Sequence, residues 1–146
     1  MNLVGFAIDG QTKSPIVLLR DLSGRRQVPI WIDHTQAHNI MAGIKGAGEN
    51  VPLTHDLLLS FLKAGNLKVE KIIIDSVEMN KFNALIKLTS IDKVNKGKVK
   101  AIEIKARPSD AIALSVRINC RIWMHEQVIS ETSIPVDPEA DLEDQN

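Results

Sequence analysis

Apolar and polar positions alternate along the first part of the chain, switch to helical spacing, and then repeat that order. LVGFAID near the start reads as a strand, and IVLLRD and RQVPIWID form a hairpin around the turn signal Ser23-Gly24. Ala37, Ile40, Met41 and Ile44 then share one helical face, with Thr35 as the cap and Gly46 as the stop. After the glycine-rich GIKGAGENVP comes a second helix, HDLLLSFLKA, capped by Thr54 and stopped by Gly65. Leu57, Leu58, Phe61 and Leu62 are its apolar stripe. VEKIIIDSVEM, FNALIKLTS and KVKAIEIKA read as strands, the last two joined by a turn around Asn95-Lys96-Gly97. RPSD leads into a third helix, AIALSVRI, and RIWMHEQVI reads as a final strand.

Side by side, the halves share a hairpin, a helix that begins just after its second strand, and a further strand. The pattern predicts an α+β fold, a largely antiparallel sheet with about three helices, and a duplicated hairpin-helix-strand unit. The strand-helix alternation of a doubly wound sheet is missing. So are GxGxxG and GxxxxGK[ST], which argues against a nucleotide held by a glycine-rich loop.

At 146 residues the chain has the length of one domain, expected over residues 1–133, and 44% hydrophobic with 25% charged residues is the composition of a globular one. No apolar run approaches the roughly 18 to 20 residues of a membrane span, and no secretory leader pattern opens the sequence, so the expectation is a cytoplasmic protein. Cys120 is the one cysteine and sits in an apolar segment, which predicts a buried, unreactive thiol. The formal net charge is zero, but the last ten residues hold five acids and no Lys or Arg. Residues 134–146 are therefore expected to form an acidic, disordered tail. The preceding body has 18 basic against 13 acidic residues. Such a mild excess suits a polyanion without requiring one.

Two corners carry candidate chemistry. Thr54-His55-Asp56 opens the second helix, where free N–H groups and the helix dipole favour negative charge. The three residues can be cap, surface histidine and dipole partner; equally, His55 can take a proton while Asp56 orients it or holds a cation. In RPSD, Pro108 ends the strand, Ser109 caps the helix, and Asp110 lies in its first turn with Arg117 two turns on. The helix is otherwise apolar almost all round, so Arg107, Asp110 and Arg117 are expected to join a polar network. A structural ion-pair network and a phosphate site would use the same pieces. His34 and His38 lie four apart, a weak metal signal, and His125-Glu126 decides nothing. Lys93, Lys96, Lys98 and Lys100 would make a basic hairpin tip able to steer nucleic acid. Three Phe, two Trp and no Tyr do not supply an aromatic platform for stacked bases.

Taken in order, PIVLLRD, VPIWID, PLTHDLL, the FNALIKL strand and ARPSDAIAL followed by Arg117 resemble the bifunctional nuclease domain family, over roughly residues 1–133. The resemblance implies an α+β fold with an internal repeat, a self-associating protein with a homodimer favoured, and cleavage of RNA and DNA. On that reading His55 is the proton acceptor, Asp56 and Asp110 hold a divalent cation (Mg²⁺ or Mn²⁺) or polarise water, and Arg107 neutralises charge on the phosphate. Arg117, Lys98 and Lys100 contact the substrate. The chain departs from the family pattern at Asp33, Thr35-Gln36, Asn83 and Lys105, so an acid at position 36 or 105 could not contribute. The alternative is a non-catalytic nucleic-acid-binding or regulatory module, in which both corners are caps and ion pairs. Convergence of His55, Asp56 and Asp110 on one phosphate-sized space is the observation that bears on the choice.

Overall fold

The computed structural model describes residues 1–47, 51–90 and 101–136. Its elements run β1 (Asn2–Ile8), β2 (Pro15–Arg20), β3 (Arg26–Trp31), α1 (His34–Lys45), α2 (Thr54–Ala64), β4 (Leu67–Glu78), β5 (Lys81–Ser90), β6 (Ile102–Ala106), α3 (Pro108–Ile118), β7 (Ile122–Met124), α4 (Glu126–Thr132) and β8 (Ile134–Pro135). The fold is α+β as expected, with the strands divided between two four-stranded sheets, ordered β1-β2-β3-β8 and β6-β5-β4-β7. All neighbours are antiparallel except β4 and β7. The element order repeats: β2-β3-α1 and β5-β6-α3 are each a hairpin followed at once by a helix, with β1 or β4 pairing on the hairpin's first strand. The fourth strands break the repeat, because β8 joins β3 whereas β7 joins β4.

One expected element is corrected. RIWMHEQVI is a strand only over Ile122–Met124, which pair with Ile72, Ile73 and Ile74, and then it turns into α4. Val128 and Ile129 are adjacent and both buried, which a helix allows and an alternating strand does not. There are therefore four helices among the described residues. Beyond α4, Ile134 and Pro135 pair with the start of β3, carrying the first sheet past residue 133. Lys93, Lys96, Lys98, Lys100 and residues 137–146 lie outside the described residues.

The helix starts are also relocated. Asp33, not Thr35, caps α1: its carboxylate accepts from the Gln36 amide at 2.7 Å while Gln36 Oε1 accepts from the Asp33 amide at 2.8 Å. Leu53 is the cap residue of α2 and Arg107 that of α3, leaving Thr54 and Pro108 as first helical residues. Proline suits that position because its φ is already helical and the N–H it lacks would have had no partner there.

The crossover from β6 to β7 lays α3 over the second sheet and beside α1 and α2, which explains why it is apolar almost all round: Ala111, Ile112, Ala113 and Leu114 are fully buried. They belong to one core cluster with Val17, Leu19 and Ile30 of the first sheet and Ile72, Ile74 and Leu88 of the second. The inward face of α2 differs from the stripe expected. His55, Leu59 and Leu62 turn inward, while Leu57, Leu58 and Phe61 are 51, 43 and 67% exposed. Gly43 permits the close approach of α1 to α3, since a Cβ there would stand 2.6 Å from Arg117 Nη1 and 2.8 Å from Val116 Cγ2. Glycine-to-alanine changes within helices ordinarily stabilise by about 1 kcal/mol. Here Gly43→Ala is expected to destabilise by about 1–2 kcal/mol net, read from the urea midpoint, because both neighbours are held in a packed interface.

Candidate functional site

The two corners meet, through His55 rather than through the carboxylate beside it. His55 is the second residue of α2 and points inward, 8% of its side chain exposed, so that Nε2 lies 2.9 Å from Asp110 Oδ1. Asp110 stands in the first turn of α3, where Arg107, the cap residue, reaches forward to it: Nε donates to Oδ2 at 2.9 Å and Nη2 to Oδ1 at 3.3 Å. Exposure rises outward through the three groups, from His55 at 8% to Asp110 at 33% and Arg107 at 65%. They line a cleft of about 430 Å³ with Asn39 and Thr54 among its polar walls and Leu58, Ile104 and Leu114 among its apolar ones.

Asp56 turns the other way. Its Oδ1 accepts from Arg117 Nε at 2.9 Å and its Oδ2 from the Leu53 amide at 3.0 Å. Arg117, with 5% of its side chain exposed, also donates through Nη1 to the carbonyls of Asn39 and Ala113 at 3.0 and 2.8 Å. This buried guanidinium ties α1, α2 and α3 together and so fixes how the His55 corner addresses the Asp110 corner. Of the residues singled out in the sequence, His55, Arg107 and Asp110 are thus brought together, and Asp56 with Arg117 forms a separate pair beneath them. His34, His38 and His125 are exposed on helices or at a helix start and do not line the cleft. Thr54, named in the sequence only as a cap, lines the cleft with Asn39, which carries no chemical signature that sequence reasoning could have used.

Electrostatics inside the trio follow from its partners. Partial burial pushes the Asp110 carboxyl up, but the hydrogen bonds from Arg107 and His55, with their charges, outweigh burial and hold it below the usual carboxylate range. The Arg107 guanidinium is pushed up in turn by Asp110, and Asp33 adds to the effect. An ionised Asp110 only accepts, so His55 Nε2 carries the hydrogen and Nδ1 is the basic nitrogen of the neutral ring. Nδ1 is buried and has no partner among the described residues. Because Asp110 titrates lower in the folded than in the unfolded protein, its contribution to stability is present above the ordinary value of 3.8 and lost as pH falls through the lowered folded value. The gap between the urea midpoints of wild type and Asp110→Asn is therefore expected to narrow as pH falls below about 4.

Among the described residues, no group of three or more His, Cys, Asp or Glu side chains is placed to hold a cation. Both carboxylates are already engaged, Asp110 by Arg107 and His55 and Asp56 by Arg117 and a backbone amide. A larger groove of about 920 Å³, bordered by Met1, Arg26, Cys120 and Trp123 among others, has no such constellation. Its Asp21 and Arg26 pair with each other at 3.0 Å, and burial pushes the Cys120 thiol up, away from the reactive thiolate.

Fold and site together define an α+β protein with an imidazole, a carboxylate and a guanidinium gathered in a cleft where two helices begin. The profile of the bifunctional nuclease domain matches residues 17–137, and the chain belongs to that family. Two uncharacterized proteins of Mycobacterium tuberculosis, from strains CDC 1551 / Oshkosh and H37Rv, are each 31% identical to it over 144 residues, which cover 98% of this chain and 81% of theirs. The family description is nuclease-related. No helix among the described residues is long and apolar enough to cross a membrane.

Proposed function

We propose that this protein is a self-associating nuclease that hydrolyses phosphodiester bonds in RNA and DNA at the His55-Asp110-Arg107 cleft. The observation that carries the reading is the 2.9 Å contact between His55 and Asp110, two residues 55 apart in sequence that meet in a cleft edged by an exposed guanidinium. Arg107 uses two N–H groups on Asp110, and a guanidinium has five, so donors remain for phosphate oxygens. Asp110 fixes the Nε2–H form of His55 and stabilises the imidazolium that forms when Nδ1 takes a proton. In the proposed reaction a water oxygen bonds to phosphorus as its proton passes to Nδ1, the bond to the leaving oxygen breaks, and that oxygen takes a proton from solvent. Arg107 offsets the charge that grows on the phosphate. Because Nδ1 is buried, the cleft wall must move aside when substrate enters. Recognition through phosphates and not base edges fits a chain poor in aromatic residues and gives little sequence preference.

The same burial of Nδ1 favours a second reading, in which the cleft holds a phosphodiester without cutting it. The two separate in one experiment: labelled single-stranded RNA and DNA are incubated with wild type, Asp110→Asn and His55→Gln, with Mg²⁺, Mn²⁺ or chelator, and binding is followed in parallel by fluorescence anisotropy. Cleavage by wild type that both folded variants lose supports the nuclease. Equal cleavage by all three means contamination, and tighter binding by Asp110→Asn with no cleavage by wild type selects the binding module.

A further inference from the structure

Outer strands of a sheet carry unpaired N–H and C=O groups, and proteins usually blunt them. Here β1 is interrupted by a register shift between Leu3 and Gly5, and β7 and β8 are three and two residues long. β6, the remaining outer strand among the described residues, is five residues with neither proline nor register shift. Its side chains alternate. Ile104, opposite the buried Ile86, faces the helices, and Glu103 and Lys105 point to the other side. Although on the helix-covered side, Ile104 is 45% exposed, and it borders the cleft together with Leu58 of α2. Phe61 and Leu57 extend that exposed apolar surface along α2.

We propose that β6 pairs with β6 of a second copy of this chain, antiparallel about a two-fold axis at Ile104. This rests on the self-association in the reading above but not on its chemistry. In that register Glu103 lies opposite the partner subunit's Lys105, and Lys105 opposite the partner subunit's Glu103. Each isologous contact therefore contains two opposite-charge cross-strand pairs. An in-register parallel pairing would set like charges together instead. The charge order thus selects a second copy over an unrelated strand, and it selects the two-fold arrangement. On the other face Ile104 meets its counterpart, flanked by Leu58 of each copy. Because Ile104, Lys105 and Ala106 also line the cleft, the pairing sets two clefts side by side, able to engage successive phosphates of one strand.

Sedimentation equilibrium on wild type, Glu103→Lys, Lys105→Glu and the double exchange tests the interface. All the changes are at exposed positions, and circular dichroism verifies folding. Wild type is expected to be a dimer, each single change to weaken it by about tenfold, and the double exchange to restore it. A monomeric wild type at the highest soluble concentration overturns the proposal, as do single variants that dimerise like wild type or a double exchange that stays weak. Mass and cleavage fail separately: a monomer that cleaves removes the interface alone, and a dimer that does not cleave removes the chemistry alone.

Discussion

Asp110→Asn is expected to lower phosphodiester cleavage by about 10²- to 10⁴-fold and to leave the protein folded. The substitution keeps the shape of the side chain but removes the charge that fixes the His55 tautomer and would stabilise the imidazolium. His55→Gln should cost a similar factor, since the glutamine amide can still donate to Asp110 and lacks only the basic nitrogen. Removing both should cost little more than removing either, because two residues that act as one unit are not additive. Arg107→Ala should both raise KM and lower kcat: Arg107 is 65% exposed, reaches a ground-state phosphate first and offsets the charge that then grows on it. If Asp110→Asn changes KM alone and leaves kcat intact, Asp110 shapes the binding surface and does not serve the chemical step.

How far this site could be read from the sequence depends on which residue is asked about. RPSDAIAL announced a strand end and an acid in the first turn, both governed by local backbone chemistry and both present, whereas Ser109, read as the cap, is the second residue of α3 and Arg107 holds the cap position. Which of His55 and Asp56 would turn toward Asp110 was not legible. Both sit in the first turn of α2, and the choice was made by the face that the helix buries. That face runs His55, Leu59, Leu62, at spacings of four and three. The sequence offers a second stripe, Leu57, Leu58 and Phe61, just as apolar, and composition favours it over one that begins with a histidine. A buried histidine at the head of an inward stripe was the available signal. It was outweighed because exposed leucines and phenylalanine look like core until tertiary structure shows them left outside. α4 was missed for a related reason: Trp123 and Met124 extend a strand pattern, and only the adjacent pair Val128-Ile129 breaks the period of two. The strand pattern itself was largely legible, but the division into two sheets depends on pairings made over long sequence separations.

Arg117→Ala is expected to destabilise the protein by about 3–5 kcal/mol, a fall in Tm on the order of 10 °C for a domain of this size, measured by calorimetry. Losing the guanidinium strands the Asp56 carboxylate at 24% exposure and removes the second, side-chain donor of the Asn39 and Ala113 carbonyls. The same model of a buried pair predicts that Arg117→Met combined with Asp56→Leu recovers most of the loss, because the desolvation of both charges is then avoided and the volume is refilled. Cleavage per folded molecule should stay within about threefold of wild type in the double variant, since the pair holds α1, α2 and α3 in place without lining the cleft. A large fall in cleavage with Tm restored would instead place Arg117 or Asp56 on the substrate. That outcome would require α3 to move against α2, because Gly43 and the two accepting carbonyls now enclose the guanidinium.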